Sequence, residues 1–287
     1  MVFLHIPKCA GTALRTALEN VCNRSSIVSL FDFDYSHRLR RHVDLAHLPL
    51  DDFRHFPEWR YLKKYQTIAC IRHPYKRLAS ACREYYRQKS RLTQQQMKVE
   101  PPSESQISSY FSALPAAIEA HDIRYIHAFP IVRFTHYGAK PMVDFILRSD
   151  HLAEDIRELP KHCALTSRQC ERIIQQLSES RDAKASPSLQ KLQESKALRA
   201  TANLIYREDF STFGFKSDSQ ASIENAETPE QLAACTTLTE SHEIPYLSFA
   251  PRVRWYWGRN SIMSYPPMRP TRSKTKPESL RLQPDSE

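Results

Sequence analysis

The sequence predicts an α/β domain built on a parallel β-sheet flanked by helices, and three observations carry that prediction. Residues 3–15 run from a buried apolar strand through a tight turn holding one lysine and one glycine into a helix start. Leu14, Ala17, Leu18 and Val21 continue at the i, i+3, i+4, i+7 spacing of one helix face. Residues 67–80 repeat this order. The apolar run Thr67-Ile68-Ala69-Cys70-Ile71 ends in Arg72, and Pro74 suits the first turn of a helix with Leu78, Cys82, Tyr85 and Tyr86 on its apolar side. The resulting strand–helix–strand–helix order over residues 1–90 implies parallel strands joined by crossovers.

Both strand-to-helix turns are suited to anions. Gly11 permits close backbone approach, and the first N–H groups of the following helix have no partner within it. Lys8 adds a positive charge and Thr12 a hydroxyl donor. In the second turn Arg72 offers a bidentate fork and Ser80 lies about two helical turns on, with Arg77, Arg83 and Arg87 adding charge nearby. The phosphate loop of an NTPase needs two glycines before Lys-Ser/Thr. This chain has only four glycines, Gly11, Gly138, Gly214 and Gly258, and none completes that pattern. The second strand ends in Arg72, where an NTPase holds magnesium through an aspartate. The expected fold is therefore P-loop NTPase-like without the metal partner. Two separate anion sites fit a nucleotide phosphorylated at both ends of its ribose.

The segments His5-Ile6-Pro7-Lys8-Cys9-Ala10-Gly11-Thr12 and Arg72-His73-Pro74-Tyr75-Lys76-Arg77-Leu78-Ala79-Ser80 resemble the two signatures of sulfotransferases that use 3'-phosphoadenosine 5'-phosphosulfate. The resemblance is to the carbohydrate branch, heparan-sulfate 2-O-sulfotransferase and its bacterial relatives. His73 stands where that family has Asp. Residues 142–152 and 206–215 resemble a middle block and the end of the catalytic domain, so the resemblance spans 1–216. It implies a sulfotransferase fold in which Lys8, Cys9, Ala10, Gly11, Thr12, Ala13 and Leu14 hold the 5'-phosphosulfate. Arg72 and Ser80 would hold the 3'-phosphate. Lys8 would also neutralise the bridging oxygen as the sulfuryl group leaves, and His47, in Ala46-His47-Leu48, matches the catalytic base. An unperturbed imidazole titrates near ~6.5 and is available neutral at neutral pH. Asp44, Asp51 and Asp52 are all placed to orient it. His5, His42 and His55 are weaker candidates for the base. Sulfuryl transfer is in-line and spreads charge over oxygens, so positioning and fixed positive charge do much of the work. No metal is expected.

Composition narrows the class further. The seven cysteines show no Cys-x-x-Cys spacing, and their odd number suits a reducing compartment. Cys9 reads either as a thiol activated by the helix start or as a small turn residue, the second being favoured. No apolar run approaches a membrane span and no basic region precedes the first strand, so a cytoplasmic, bacterial enzyme is expected. Of the net charge of +9, residues 252–287 supply +5, from eight Lys/Arg against three acids. Peripheral contact with an anionic membrane is compatible with that tail, and no nucleic-acid partner is expected.

The expected organisation is a catalytic domain over 1–216, a linker and appendage over 217–264 packing through Trp255, Tyr256 and Trp257, and a disordered basic, Pro-rich tail over 265–287. Within the domain, residues 90–109 read as an exposed Gln-rich loop or lid, and 110–127 as helical. Residues 130–134 read as a strand, 141–147 and 152–159 as helices, 170–177 as helical and 187–210 as one long helix. The expected function is sulfuryl transfer from 3'-phosphoadenosine 5'-phosphosulfate to a carbohydrate hydroxyl. The alternatives are a lipid, small-molecule or tyrosine hydroxyl as acceptor, and a non-catalytic nucleotide- or glycan-binding protein on the same fold. A nucleotide kinase is disfavoured by the missing magnesium pattern.

Overall fold

The computed structural model describes residues 1–22, 30, 33–39, 41–94, 102–180 and 187–218. In chain order its elements are β1 (Val2–Leu4), α1 (Gly11–Val21), β2 (Phe33–Ser36), β3 (Arg41–Asp44), a 3-10 turn (Leu45–His47), α2 (Leu50–Phe53), α3 (Trp59–Lys64) and β4 (Thr67–Ile71). There follow α4 (Pro74–Gln94), α5 (Glu104–Glu119), a second 3-10 segment (Ile123–Ala128), α6 (Val132–Thr135), β5 (His136–Tyr137), β6 (Lys140–Pro141) and β7 (Phe145–Arg148). The last are α7 (Leu152–Glu158), a third 3-10 turn (Leu159–Lys161), α8 (Ser167–Ser180), α9 (Pro187–Glu194), α10 (Lys196–Ile205) and α11 (Arg207–Phe213). The expectations for residues beyond 218, the appendage and the tail, lie outside the described residues.

The described residues fall into two compact units, one from 1–72 and 133–180, the other from 73–132 and 187–218. The first holds the sheet. β4 lies centrally, with β1 and β7 parallel on either side. All five residues of β4 are buried, which is why this strand reads as a continuous apolar run with no alternation. Phe3, Ile68, Cys70 and Leu147 pack with Leu14 and Leu18 of α1, Ile156 of α7, and Ile173 and Leu177 of α8. The parallel α/β expectation holds. The stretch between α1 and β4, irregular in the sequence reading, contains the β2–β3 hairpin and two short helices.

Two element assignments change in this unit. Residues 141–147, expected to be helical, contain β7, the third strand of the sheet. Short apolar runs have no decisive period, and pairing with the buried β4 selects the strand. Residues 130–134, expected to be a strand, lead into α6.

The second unit explains that last reversal. The Asp209 carboxylate, fully buried, accepts from the N–H of Ile131 (2.8 Å) and of Val132 (2.9 Å). It supplies the acceptors that free backbone donors at a helix start require, from a residue far along the chain. Arg77, also fully buried, donates from Nη1 to the Phe129 carbonyl (2.6 Å) and lies 5.7 Å from the Tyr206 ring centroid. Arg77 is therefore a structural cation and not the spare anion-binding charge anticipated. Arg87 is engaged by Glu84 within α4. Both ends of the loop expected over 90–109 are helical, and residues 95–101 lie outside the described residues. α4 runs to Gln94, and α5 begins after Ser103, whose Oγ accepts from the Gln106 N–H while the Gln106 side chain accepts from the Ser103 N–H. The single helix expected over 187–210 is three helices, interrupted at Ser195 and Tyr206. The Tyr206 hydroxyl donates to the Ala128 carbonyl (2.7 Å).

Burial pushes the Asp209 carboxyl up to about 6, against the opposing pull of Arg77 and the two N–H donors. The folded form then holds its proton more tightly than an unfolded chain, whose Asp titrates near ~3.9. This contribution to stability is present below about pH 4 and is lost as pH rises to about 6. Asp209→Ala should destabilise the protein by about 3–5 kcal/mol, because it strands two N–H groups and the Arg77 charge. Urea unfolding should find the cost greater near about pH 4.5 than near neutrality. An equal cost at both would refute the assignment of that slope to Asp209.

Candidate active site

Lys8 and Arg72 follow the carboxyl ends of β1 and β4, which are adjacent and parallel with Leu4 opposite Ala69. In open α/β sheets ligands bind in the crevice beyond these ends. The loop between β1 and α1 carries backbone strain. Lys8 (φ 66°) and Ala10 (φ 61°) are both left-handed without being glycine, at a cost of roughly 1–2 kcal/mol each. Backbone of this kind turns N–H groups toward a common point and is retained where the surroundings over-determine it, often at functional sites.

The amide of Leu14 donates to the Ala10 carbonyl (3.2 Å), closing the first turn of α1. The amides of Gly11, Thr12 and Ala13 precede it and are the donors a helix start presents. Thr12 is exposed, Lys8 and Ala13 half-buried, and Leu14 is wholly in the core. Leu14 thus contributes packing, while the polar edge of the loop lies before it. Cys9 is completely buried and its N–H donates to Ile6 (3.3 Å), as a small turn residue would.

Gly11 has a further reason to be glycine. A Cβ there would stand 2.2 Å from Nδ1 of His5, so the ring of His5 occupies the space a side chain would need. His5 is buried, and its ring centroid lies 5.0 Å from that of His47.

His47 ends the 3-10 turn that follows β3. Its Nδ1 donates to Oδ2 of Asp44 at 2.9 Å. Asp44 is only 1 % exposed, and its other oxygen, Oδ1, accepts from the Ala46 N–H (3.1 Å). Of the three aspartates the sequence offers, Asp44 holds the imidazole. Asp52 pairs with Arg38 (3.0 Å), and Asp51 is exposed. A carboxylate on Nδ1 puts the proton there and leaves Nε2 with the lone pair, the arrangement of a general base with an orienting acid. His55 is exposed on the surface after α2.

In the second unit, Ser80 is half-buried on α4. His73 packs its ring against Tyr75 (5.0 Å), Phe215 (5.3 Å) and Phe210 (6.1 Å). There its role is packing, and an Asp would not fill that aromatic setting equally. Among the described residues no group of three or more His, Cys, Asp or Glu side chains is placed to hold a metal ion.

The model of the sulfotransferase family matches residues 1–216. The chain belongs to the sulfotransferase family. That match covers both strand-to-helix loops and the segment of His47, and runs past the end of α11. No curated protein and no solved structure matches the chain. The family transfers sulfuryl groups, in general from 3'-phosphoadenosine 5'-phosphosulfate. The mixed α/β architecture with a parallel three-stranded sheet agrees with its fold. Among the described residues no helix is long and apolar enough to cross a membrane. One group of residues escaped the sequence reading: Arg54, Trp59, Lys63, Tyr137 and Lys140 line one cavity. Its trace in the sequence is the basic and aromatic run from Arg54 to Lys64, with Trp59 and Lys63 one helical turn apart.

Proposed function

We propose that this sulfotransferase-family protein moves a sulfuryl group from 3'-phosphoadenosine 5'-phosphosulfate to a hydroxyl of a carbohydrate, with His47 as general base. The observation that carries the reading is the pair of buried Asp44 and half-buried His47, with the His47 ring against His5 at the carboxyl end of β1, the strand that leads into the Lys8 loop. The carbohydrate acceptor rests on the resemblance of residues 5–12 and 72–80 to that branch of the family.

The strained loop and the helix start fit the donor's 5'-phosphosulfate. The amides of Gly11, Thr12 and Ala13 and the Thr12 hydroxyl bind its oxygens, and the Lys8 ammonium stands beside the bridging oxygen. Arg72, with Ser80 by the same resemblance, binds the 3'-phosphate. Nε2 of His47 takes the acceptor's hydroxyl proton as the acceptor oxygen bonds to sulfur. The bond from sulfur to the bridging oxygen breaks in line, and its electron pair leaves on 3'-phosphoadenosine 5'-phosphate beside Lys8. No proton is needed on the leaving phosphate at neutral pH.

Calorimetry with 3'-phosphoadenosine 5'-phosphate tests the donor assignment, run without added metal and against ATP. Binding should be metal-independent and stronger than that of ATP. Arg72→Ala should weaken it about 10- to 100-fold, the loss of a charge-assisted bidentate contact. Magnesium-dependent preference for ATP would overturn the reading in favour of a kinase.

A further inference from the structure

The first unit contains a cavity of about 790 Å³ that the mechanism above does not use. Leu62 and Lys63, from the end of α3, and Met142 and Asp144, just before β7, help to line it. The segments to which they belong enter the sheet at its amino edge, since Asp144 and Thr67 exchange backbone and side-chain bonds where β4 and β7 begin. β4 and β7 run parallel from there toward Arg72 and Ser149, five residues along each, or about 16 Å at the rise of a strand. The cavity therefore lies toward the end of the sheet opposite the Lys8 and Arg72 loops.

Its lining combines charge with aromatic surface. Among the described residues that line it, Arg54, Lys63 and Lys140 are cations and Asp144 is the one carboxylate. Three cations against one carboxylate leave the described lining cationic in balance, and Oδ2 of that carboxylate accepts from the Thr67 N–H at 2.7 Å. Arg54 is fixed: its Nη1 donates to the Tyr137 hydroxyl (2.6 Å), and its guanidinium lies 5.5 Å from the Tyr137 ring centroid. The Lys63 ammonium lies 5.9 Å from the centroid of Trp59. The Trp59 and Tyr137 rings meet edge to face, at 5.3 Å and 72°. That arrangement provides no parallel pair of planes to sandwich a nucleobase. A single aromatic face flanked by cations suits the C–H face of a pyranose carrying carboxylate or sulfate groups.

We propose that this cavity is a second ligand site, which binds an acidic sugar segment away from the donor loop. The inference rests on the carbohydrate-acceptor reading and deepens it. A polymer held there would be anchored at a distance from the hydroxyl that reacts, so remote binding would serve to position that hydroxyl.

The test is calorimetry on the full chain with a hexasaccharide of alternating uronic acid and N-acetylhexosamine, and with neutral maltohexaose as control. The acidic sugar should bind and the neutral one should not. Lys63→Glu/Lys140→Glu, at two exposed positions, should weaken acidic-sugar binding about tenfold or more by charge reversal. The same variant should keep its affinity for 3'-phosphoadenosine 5'-phosphate, and Lys8→Ala should keep its affinity for the acidic sugar. Trp59→Ala, checked by thermal melting because Trp59 also meets Phe53, should weaken the sugar alone. If the nucleotide binds and the acidic hexasaccharide does not, or binds equally to the charge-reversed protein, the cavity inference fails and the donor reading stands. If the hexasaccharide binds through Lys63 and Lys140 and the nucleotide fails to bind, the donor reading fails and the cavity inference stands.

Discussion

His47→Ala should lower kcat by about 10²–10⁴, the usual contribution of a positioned general base. Affinity for 3'-phosphoadenosine 5'-phosphate should not change. The separation follows from geometry. The nucleotide's proposed contacts are the backbone amides of α1, the Thr12 hydroxyl, Lys8, Arg72 and Ser80; His47 is not among them, and its Nδ1 is held by Asp44. The Asp44 bond is lost with the imidazole, but Asp44 keeps its other oxygen on the Ala46 N–H, so the turn retains its cap. The His47 side chain is 12 % exposed, and its truncation leaves a small gap beside His5. Thermal melting is the control for that gap. A single-turnover assay with labelled donor and calorimetry on the same sample decide the matter. Equal rates in wild type and variant would remove His47 from the chemistry. Absence of turnover with any acceptor, together with intact nucleotide binding in both, would favour the non-catalytic binding reading.

The two strand-to-helix turns were legible in the sequence because each is local. A strand, a short turn with Lys8 or Arg72, and a helix start follow one another within about fifteen residues, and their chemistry depends on backbone that neighbouring residues set. The parallel order of β1 and β4 followed from the same locality. What the sequence did not disclose depends on distant partners. β7 exists because Phe145, Ile146 and Leu147 pair with Ile68, Ala69 and Cys70. The turn of residues 130–134 into α6 depends on Asp209, whose role no local pattern announces. Arg77 reads as surface charge until the Phe129 carbonyl and the Tyr206 ring enclose it. By contrast, Ser103-Glu104-Ser105-Gln106 is a local helix-start signal that the reading of a long loop passed over.

Gly11 is a case in which the sequence identified an important residue for an incomplete reason. Freedom of the backbone to approach an anion accounts for a glycine at a phosphate loop. Here the more direct constraint is the His5 ring, 2.2 Å from where a Cβ would be. Gly11, His5 and His47 are thereby linked: the missing side chain makes room for one imidazole, which packs against the other. Lys8 and Ala10 bear the backbone strain of the same turn. The proposed donor loop and the proposed base are parts of one packed arrangement, so the loop's shape and the base's position depend on common residues.

Asp44→Asn separates orientation from the presence of the base. In the native protein Oδ1 of Asp44 accepts from the Ala46 N–H and Oδ2 accepts from Nδ1 of His47. Asparagine has one acceptor oxygen. If that oxygen keeps the Ala46 bond, the amide N–H₂ faces His47, and the imidazole must present its lone pair at Nδ1 and carry its proton on Nε2. Nε2 then has nothing with which to accept the hydroxyl proton. The expected result is a fall in kcat of about 10²–10³ with nucleotide affinity retained, although the imidazole itself is unchanged. A purely structural role for Asp44 predicts something different, a loss that follows thermal stability. The ¹⁵N shifts of the His47 ring distinguish the two. They should place the proton on Nδ1 in the native protein and on Nε2 in Asp44→Asn. An unchanged tautomer alongside a lowered rate would overturn the orienting role, and an unchanged rate alongside a switched tautomer would overturn His47 as the base.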